Sequence, residues 1–324
     1  MRRAGHLLLA MVALVALAAP WLAPNPPDRS FAGFLYAPPT PVRMFRDGPR
    51  TPFIYPQRLV NRLERRFEED TLHPLSLQWF TDGRLVSVPG GDGSPLLLLG
   101  ADGFGRDTFS RLLHGARASL ALAAAATVLA LLIGALVGGI AGYAGGIVDE
   151  LLSRVTDFVL VLPAIYVALA LRAVMPLILP PATVFVLLGT IFALLGWPIV
   201  ARGVRAIVAS ERQRDYAVAG LALGAGPWRL LSRHLLPAAW GYLAVQATLL
   251  LPAFILAEAT LSYVGLGFPG TVPTWGTMLQ DASNVALLAE APWMLAPATA
   301  IFVVVLAVNL AVQGTGHAPV QLEP

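Results

Sequence analysis

Six stretches of the chain are apolar for long enough, or nearly so, to cross a bilayer, which takes about 20 mostly hydrophobic residues as a helix. They cover residues 6–23, 119–142, 155–174, 183–200, 243–264 and 291–312, and predict an all-α integral membrane protein with six transmembrane helices. The first stretch also fits a secretory signal, because Arg2 and Arg3 precede an apolar run ending with Ala16 and Ala18 in A-x-A spacing; a retained anchor over 1–23 is the preferred reading. Residues 24–98 form a long polar segment. Within it Leu59, Val60, Leu63 and Phe67 recur at helical spacing, and Leu75, Leu77 and Trp79 then alternate toward an Asp82-Gly83 turn. This predicts a short amphipathic helix followed by a hairpin, together a small cap. The alternative is a linker rich in proline, with Pro24, Pro26, Pro27, Pro38, Pro39 and Pro41. Residues 99–314 form the main transmembrane domain, and 315–324 a short tail.

Composition supports lipid as the main solvent. Of the 324 residues 56% are hydrophobic and 13% charged, about half the charge of a soluble domain. There is no cysteine, and all 22 basic residues are arginine. Disulfides, thiolate catalysis and cysteine metal sites are excluded, and no metal site is expected. Without lysine there is no Schiff base and no G-x-x-x-x-G-K-[ST], so the chain cannot be its own P-loop ATPase. So apolar a chain is a poor candidate for nucleic-acid binding. A membrane-embedded enzyme is also disfavoured: G-x-S-x-G and H-E-x-x-H are both absent, and His6, His73, His114, His234 and His317 carry no catalytic pattern.

The arginines set the orientation. The connection 202–233 holds six of them against Glu211 and Asp215, a net of +4, whereas 266–290 holds only Asp281 and Glu290. The positive-inside rule places the first in the cytoplasm and the second outside, with both termini cytoplasmic. The segment 24–98 then lies outside, nearly neutral with nine arginines and eight acids.

Within the spans, Gly134, Gly138, Gly142 and Gly146 recur every four residues and predict a stripe for close helix packing. Ionisable residues are costly at mid-bilayer, so Asp157 and Glu258, with Gln246 and Ser262, are candidates for a polar pathway or interhelix contacts. Asp157 has an interfacial position as its alternative, and Arg172 is expected to snorkel from the end of its helix. Pro252 is expected to bend the fifth span.

The cytoplasmic connection 202–237 contains ERQRDYAVAGLALGAGPWRLLSRHLLP. Its first half predicts a short helix through Tyr216, Ala217, Ala219 and Leu223, ended by Gly224 and Gly226. Its second half, from Pro227, sets Trp228, Leu231 and Leu235 opposite Arg229 and Arg233. Two short helices joined by small residues make a knob suited to a partner's groove.

This segment resembles the EAA loop of ABC importer permeases. Ala219 and Gly220 stand at the two alanine positions and Gly224 at the glycine, while Arg233-His234-Leu235-Leu236-Pro237 is the closing segment; Val218 replaces the motif glutamate. Further motifs resemble the C-type subunit of the dipeptide, oligopeptide and nickel transport family. They are Gly100-Ala101-Asp102-Gly103-Phe104-Gly105-Arg106-Asp107 before the second span, Gly142-Tyr143-Ala144-Gly145-Gly146 after it, and Glu258-Ala259, Gly265-Leu266-Gly267 and Pro273-Thr274-Trp275-Gly276 around the end of the fifth.

The resemblance implies a type I ABC importer permease fold in the bacterial inner membrane and a translocation subunit without bond chemistry or a bound cofactor. Tyr216, Ala219, Gly220, Gly224, Arg229, Arg233, His234 and Pro237 would form the ATPase-coupling loop. The implied partners are a second permease subunit, two ATP-binding cassette subunits carrying ATP and Mg, and an extracytoplasmic solute-binding protein that the cap helps to dock. The competing reading is a secondary transporter acting without an ATPase, although no internal repeat of the kind common in such folds is evident.

Overall fold

The computed structural model describes residues 2–45, 49–62, 64–81, 83–89, 93–176 and 179–312. Its contacts fall into two compact units, Met1–Leu120 with Ala259–Ala311, and Ala121–Glu258 with Val312–Pro324.

The first unit begins with helices α1 (Arg2–Leu17) and α2 (Ala19–Leu22). Strands β1 (Arg43–Phe45), β2 (Pro49–Ile54), β3 (Gln57–Asn61), β4 (Arg66–Glu69), β5 (Leu75–Ser76), β6 (Gln78–Thr81) and β7 (Arg84–Ser87) follow. They form a three-stranded antiparallel sheet in the order β1-β2-β5 and two hairpins, β3-β4 and β6-β7. Ile54, Leu77 and Leu96 make the core beneath the sheet, and Phe31, Phe34, Ala37, Leu97 and Ala101 make a second cluster.

The fold is therefore mostly helical rather than all-α. The expected helix through Leu59 and Phe67 is the β3-β4 hairpin, in which those two residues are direct cross-strand partners. Burial alternates along β3, as a half-covered strand requires. A spacing of eight thus brought two apolar residues together across a turn instead of along a helix. Leu63 lies outside the described residues. The expected hairpin is β6-β7, with Trp79 opposite Val86, but the alternating run toward it is broken: Leu75 belongs to β5, paired with Ile54 of β2, and Leu77 lies between the strands. Asp82 of the expected Asp82-Gly83 turn lies outside the described residues.

The remaining helices are α3 (Thr108–Ala144), α4 (Gly146–Val161), α5 (Ala164–Val174), α6 (Pro181–Glu211), α7 (Asp215–Ala222), α8 (Pro227–Leu230), α9 (Leu236–Ala238), α10 (Trp240–Tyr263), α11 (Trp275–Asp281), α12 (Val285–Glu290) and α13 (Ala296–Val312). A π-helical turn (Leu231–Leu235) joins α8 to α9, and a 3₁₀ turn (Pro292–Leu295) leads into α13.

Among the described residues four segments are long and apolar enough to cross a membrane: Thr108–Ala144, Pro181–Glu211, Trp240–Tyr263 and Pro292–Ala311. They are five if α4 and α5 count as one broken span, so six spans are not what the helices provide. The expected span 155–174 is split by a bend of 85°. Pro163 lacks an N–H and holds Leu162 extended, which stops α4 at Val161. The apolar helix Arg3–Leu17 is shorter than a span.

Two further expectations change. Arg172 does not snorkel: it is buried at 2% exposure, and one guanidinium nitrogen donates to the Pro176 carbonyl at 3.1 Å. The coupling segment 202–237 does not begin as a loop, because α6 continues to Glu211 and carries Arg202 and Arg205 on helix.

In the second unit the glycines of α3 lie against the α6 backbone. A Cβ on Gly134 would sit 2.5 Å from Val200 Cβ, one on Gly142 would sit 2.5 Å from the Arg205 carbonyl, and Gly138 faces the backbone of Ala201. Gly146 does not continue the stripe; α3 has ended, and Gly146 opens α4 with space around it. Gly138→Leu is expected to lower the thermal unfolding midpoint of purified protein, since overpacking costs about 1–3 kcal/mol. Gly241→Ala, which meets open space on α10, should not lower it.

Candidate functional site

The segment 215–237 is built as a capped helix followed by a tightened turn. Helix α7 ends in a Schellman motif: the Ala225 N–H donates to the Gly220 carbonyl and the Gly224 N–H to the Leu221 carbonyl, both at 3.0 Å. That closure needs a left-handed residue, and Gly224 supplies it at φ +83°. At the other end the Tyr216 hydroxyl donates to Glu211 at 2.7 Å and Arg214 pairs with Glu211 at 3.1 Å, tying α7 to the end of α6. Burial raises the Tyr216 pKa, and its bond to Glu211 adds to the shift.

Ala217, Leu230, Leu231 and Leu235 are buried beneath this knob, whereas Leu223, Trp228, Val218 and Leu221 are exposed. Trp228 therefore leaves the apolar face on which its spacing from Leu231 and Leu235 put it. The π-helical turn adds a residue to the repeat, and Leu230 is buried instead. Ala219, Arg229, Arg233, His234 and Pro237 are exposed, and Gly220 is half-buried against Leu230.

Elsewhere in the second unit, Arg205 grips Asp149 with two nitrogens, one at 2.6 Å, and the exposed Arg202 and Asp157 pair at 2.5 Å. These pairs join α4 to α6. Arg202, Arg205 and Asp157 line a cavity of about 320 Å³ together with Gly138, Ser153 and Thr156. Glu258 and Ser262 lie one turn apart on α10 and are buried, as is Gln246 farther back on that helix.

A polar network in the first unit carries no role that the sequence reading assigned. The Asp102 carboxylate accepts from the backbone N–H groups of Phe104 and Arg106 at 2.8 and 2.9 Å, closing a turn with Gly105 at φ +72°. Arg106 donates to Asp102 at 2.6 Å, to Asp281 at 2.8 Å and to the Gly270 carbonyl at 3.0 Å. Arg111, 1% exposed, stands 3.5 Å from Asp102 and 3.8 Å from Asp281. The G-x-D-x-x-G-R-D pattern was the signal for the turn; Asp281, 175 residues from Arg106, had none. The P-T-W-G motif starts α11: the Thr274 side chain caps the Thr277 N–H at 3.1 Å, and the Trp275 N–H donates to Ser119.

Asp107, just before α3, is buried and accepts from Ser110, from Asn25 and from the Phe109 N–H. Burial pushes its pKa up to about 6, against these hydrogen bonds, which lower it. Burial raises Asp281 as well, with Arg106 opposing. A carboxyl that binds its proton more tightly folded than unfolded loses stability as pH rises from the unfolded value near 4 through the folded one. The interval from 3.8 to about 6 at Asp107 corresponds to about 3 kcal/mol. The unfolding midpoint is thus expected to be higher at about pH 5 than at about pH 7.5, and Asp107→Asn should flatten that slope.

A family model described as "binding-protein-dependent transport system inner membrane component" matches residues 130–315. The chain belongs to this family. It is a membrane transport component with several apolar helices, and the matched region contains the α3 glycines, the ion pairs of α4 with α6, and the capped knob. The chain is 32% identical to the di/tripeptide transport system permease protein of Pseudomonas aeruginosa, over 94% of this chain and 83% of that one. It is 38% identical to a putative peptide permease protein of Brucella ovis, over 65% of this chain and 68% of that one. It is also 38% identical to the oligopeptide transport system permease protein of Bacillus subtilis, over 60% and 62% respectively.

Proposed function

We propose that the chain is one of two permease subunits of an ATP-binding cassette importer for peptides, lining the translocation pathway with a related permease. Two cytoplasmic ATPase subunits carry ATP and Mg, and this chain binds no cofactor. An extracytoplasmic binding protein delivers the substrate, and the folded segment before α3 helps to dock it. Both termini lie in the cytoplasm of a bacterial inner membrane. The observation that carries this reading is the knob at 215–237: a capped helix with exposed Leu223, Val218 and Trp228, basic on its flank through Arg229 and Arg233. In such a subunit ATP-driven closure reaches the membrane mechanically, and the Arg205–Asp149 and Arg202–Asp157 pairs pass movement of α6 on to α4.

Reconstitution with candidate partner subunits tests the proposal. Peptide uptake into proteoliposomes is expected only with the ATPases, the binding protein and ATP present. Uptake by this chain alone, driven by an ion gradient, would establish a secondary transporter instead.

A further inference from the structure

The β6-β7 hairpin rests against the N-terminal helices and the first turns of α3. Its Arg84 donates to the Pro24 carbonyl at 2.9 Å, just past α2. Between the hairpin and the helices lies a cavity of about 510 Å³. Its walls include Trp79 and Val86 of the hairpin, Val15 and Leu22 of the N-terminal helices, and Phe109 and Leu113 of α3. Those walls are almost entirely carbon. A second apolar cavity of about 420 Å³, between α1, α3 and α13, shares Val15 and Leu113 with it. Val15 and Leu113 thus border apolar space on both sides, along α3 and beneath the hairpin.

Three exposed aromatic residues surround this level. Phe80 is 81% exposed in a left-handed backbone conformation, φ +56°, beside Trp79. A bulky residue in that region is an outlier, and here it turns an aromatic ring outward. Trp21, on α2, is also exposed, and so are Leu14 and Leu17 on the same side of the chain's start. Trp and other aromatic residues gather where a membrane's apolar core meets its headgroups. A polar protein segment would meet apolar walls here, whereas a lipid tail matches them chemically and is supplied wherever α3 crosses the bilayer.

We propose that the cavity beneath the β6-β7 hairpin is a phospholipid acyl-chain site, and that Trp79 and Phe80 seat the hairpin in the leaflet at the Thr108 end of α3. The hairpin is then a membrane-interface anchor, fixing the folded segment over the helix bundle. The site depends on α3 being membrane-embedded, and not on what the protein transports.

Because the chain has no cysteine, Phe80→Cys gives a single position for a nitroxide spin label in phospholipid nanodiscs. Relaxation of the label by oxygen is expected to exceed relaxation by a water-soluble nickel chelate, with the reverse at Leu72→Cys, in a polar turn beside Asp70 and His73. Dominance of the nickel chelate at position 80 would overturn the anchor. A second measurement addresses the cavity: Val42→Trp, which fills one wall, should lower by one the number of phospholipids retained in native mass spectra of the purified protein. An unchanged lipid count would overturn the acyl-chain site. Normal peptide uptake by either variant leaves both readouts intact, so failure here is distinguishable from failure of the transport function.

Discussion

An Arg106→Ala variant is expected to unfold roughly ten degrees below the parent protein. Its guanidinium is almost wholly buried and spans three acceptors, Asp102, Asp281 and the Gly270 carbonyl. Removing it takes away the nearer cation and leaves Arg111 at 3.5 Å from Asp102 and 3.8 Å from Asp281. Breaking a buried pair by deleting one partner costs about 3–5 kcal/mol, because the remaining charge is stranded in low dielectric. Arg106→Lys should recover only part of the loss, since one ammonium cannot reproduce a fork reaching three acceptors. Thermal unfolding of detergent-purified variants measures the effect. A double-mutant cycle with Asp281→Ala assigns it: the second substitution should cost much less once Arg106 is gone. Strict additivity with a loss under about 1 kcal/mol would make the pair an ordinary surface ion pair.

The same network marks where the sequence stops being legible. Long hydrophobic runs identified α3, α6, α10 and the run ending in α13, because apolar length is a local property. The Asp82-Gly83 signal marked the β6-β7 hairpin, although of the alternating Leu75, Leu77 and Trp79 only Trp79 lies in β6, and the small residues at Gly224 and Gly226 marked the end of α7. The β3-β4 hairpin was misread because a spacing of eight satisfies a helix face and a cross-strand pair alike. The break at Pro163 was visible in principle, yet hydropathy passes through proline without registering it. Trp228 went astray because a single π-helical turn shifts the helical repeat by one residue. Partners such as Arg106 with Asp281, or Arg202 with Asp157, are far apart in sequence; only the fold brings them together.

Substituting Gly224 with tryptophan is expected to abolish transport while leaving the amount of protein in the membrane unchanged. Two effects combine at this position. The first is conformational: Gly224 sits at φ +83°, which any side chain disfavours by roughly 1–2 kcal/mol, so the Schellman closure of α7 loosens. The second is steric at a distance. No neighbouring atom lies within 4 Å of a Cβ built there, so a bulky side chain would project from the knob instead of clashing inside it. It would project from the knob that also exposes Leu223 and Trp228, the surface through which the proposed ATPase contact would be made. Gly226→Ala separates the two effects from general damage to the loop. Gly226 has an ordinary φ of −67° and open space, so that variant should transport as the parent does. Gly224→Ala, which carries the strain without the bulk, should fall between them. ATP-driven peptide uptake and ATPase stimulation, each normalised to membrane protein level, read the series. Normal uptake by Gly224→Trp would remove this knob from the coupling path and leave the ion pairs between α4 and α6 to be tested in its place.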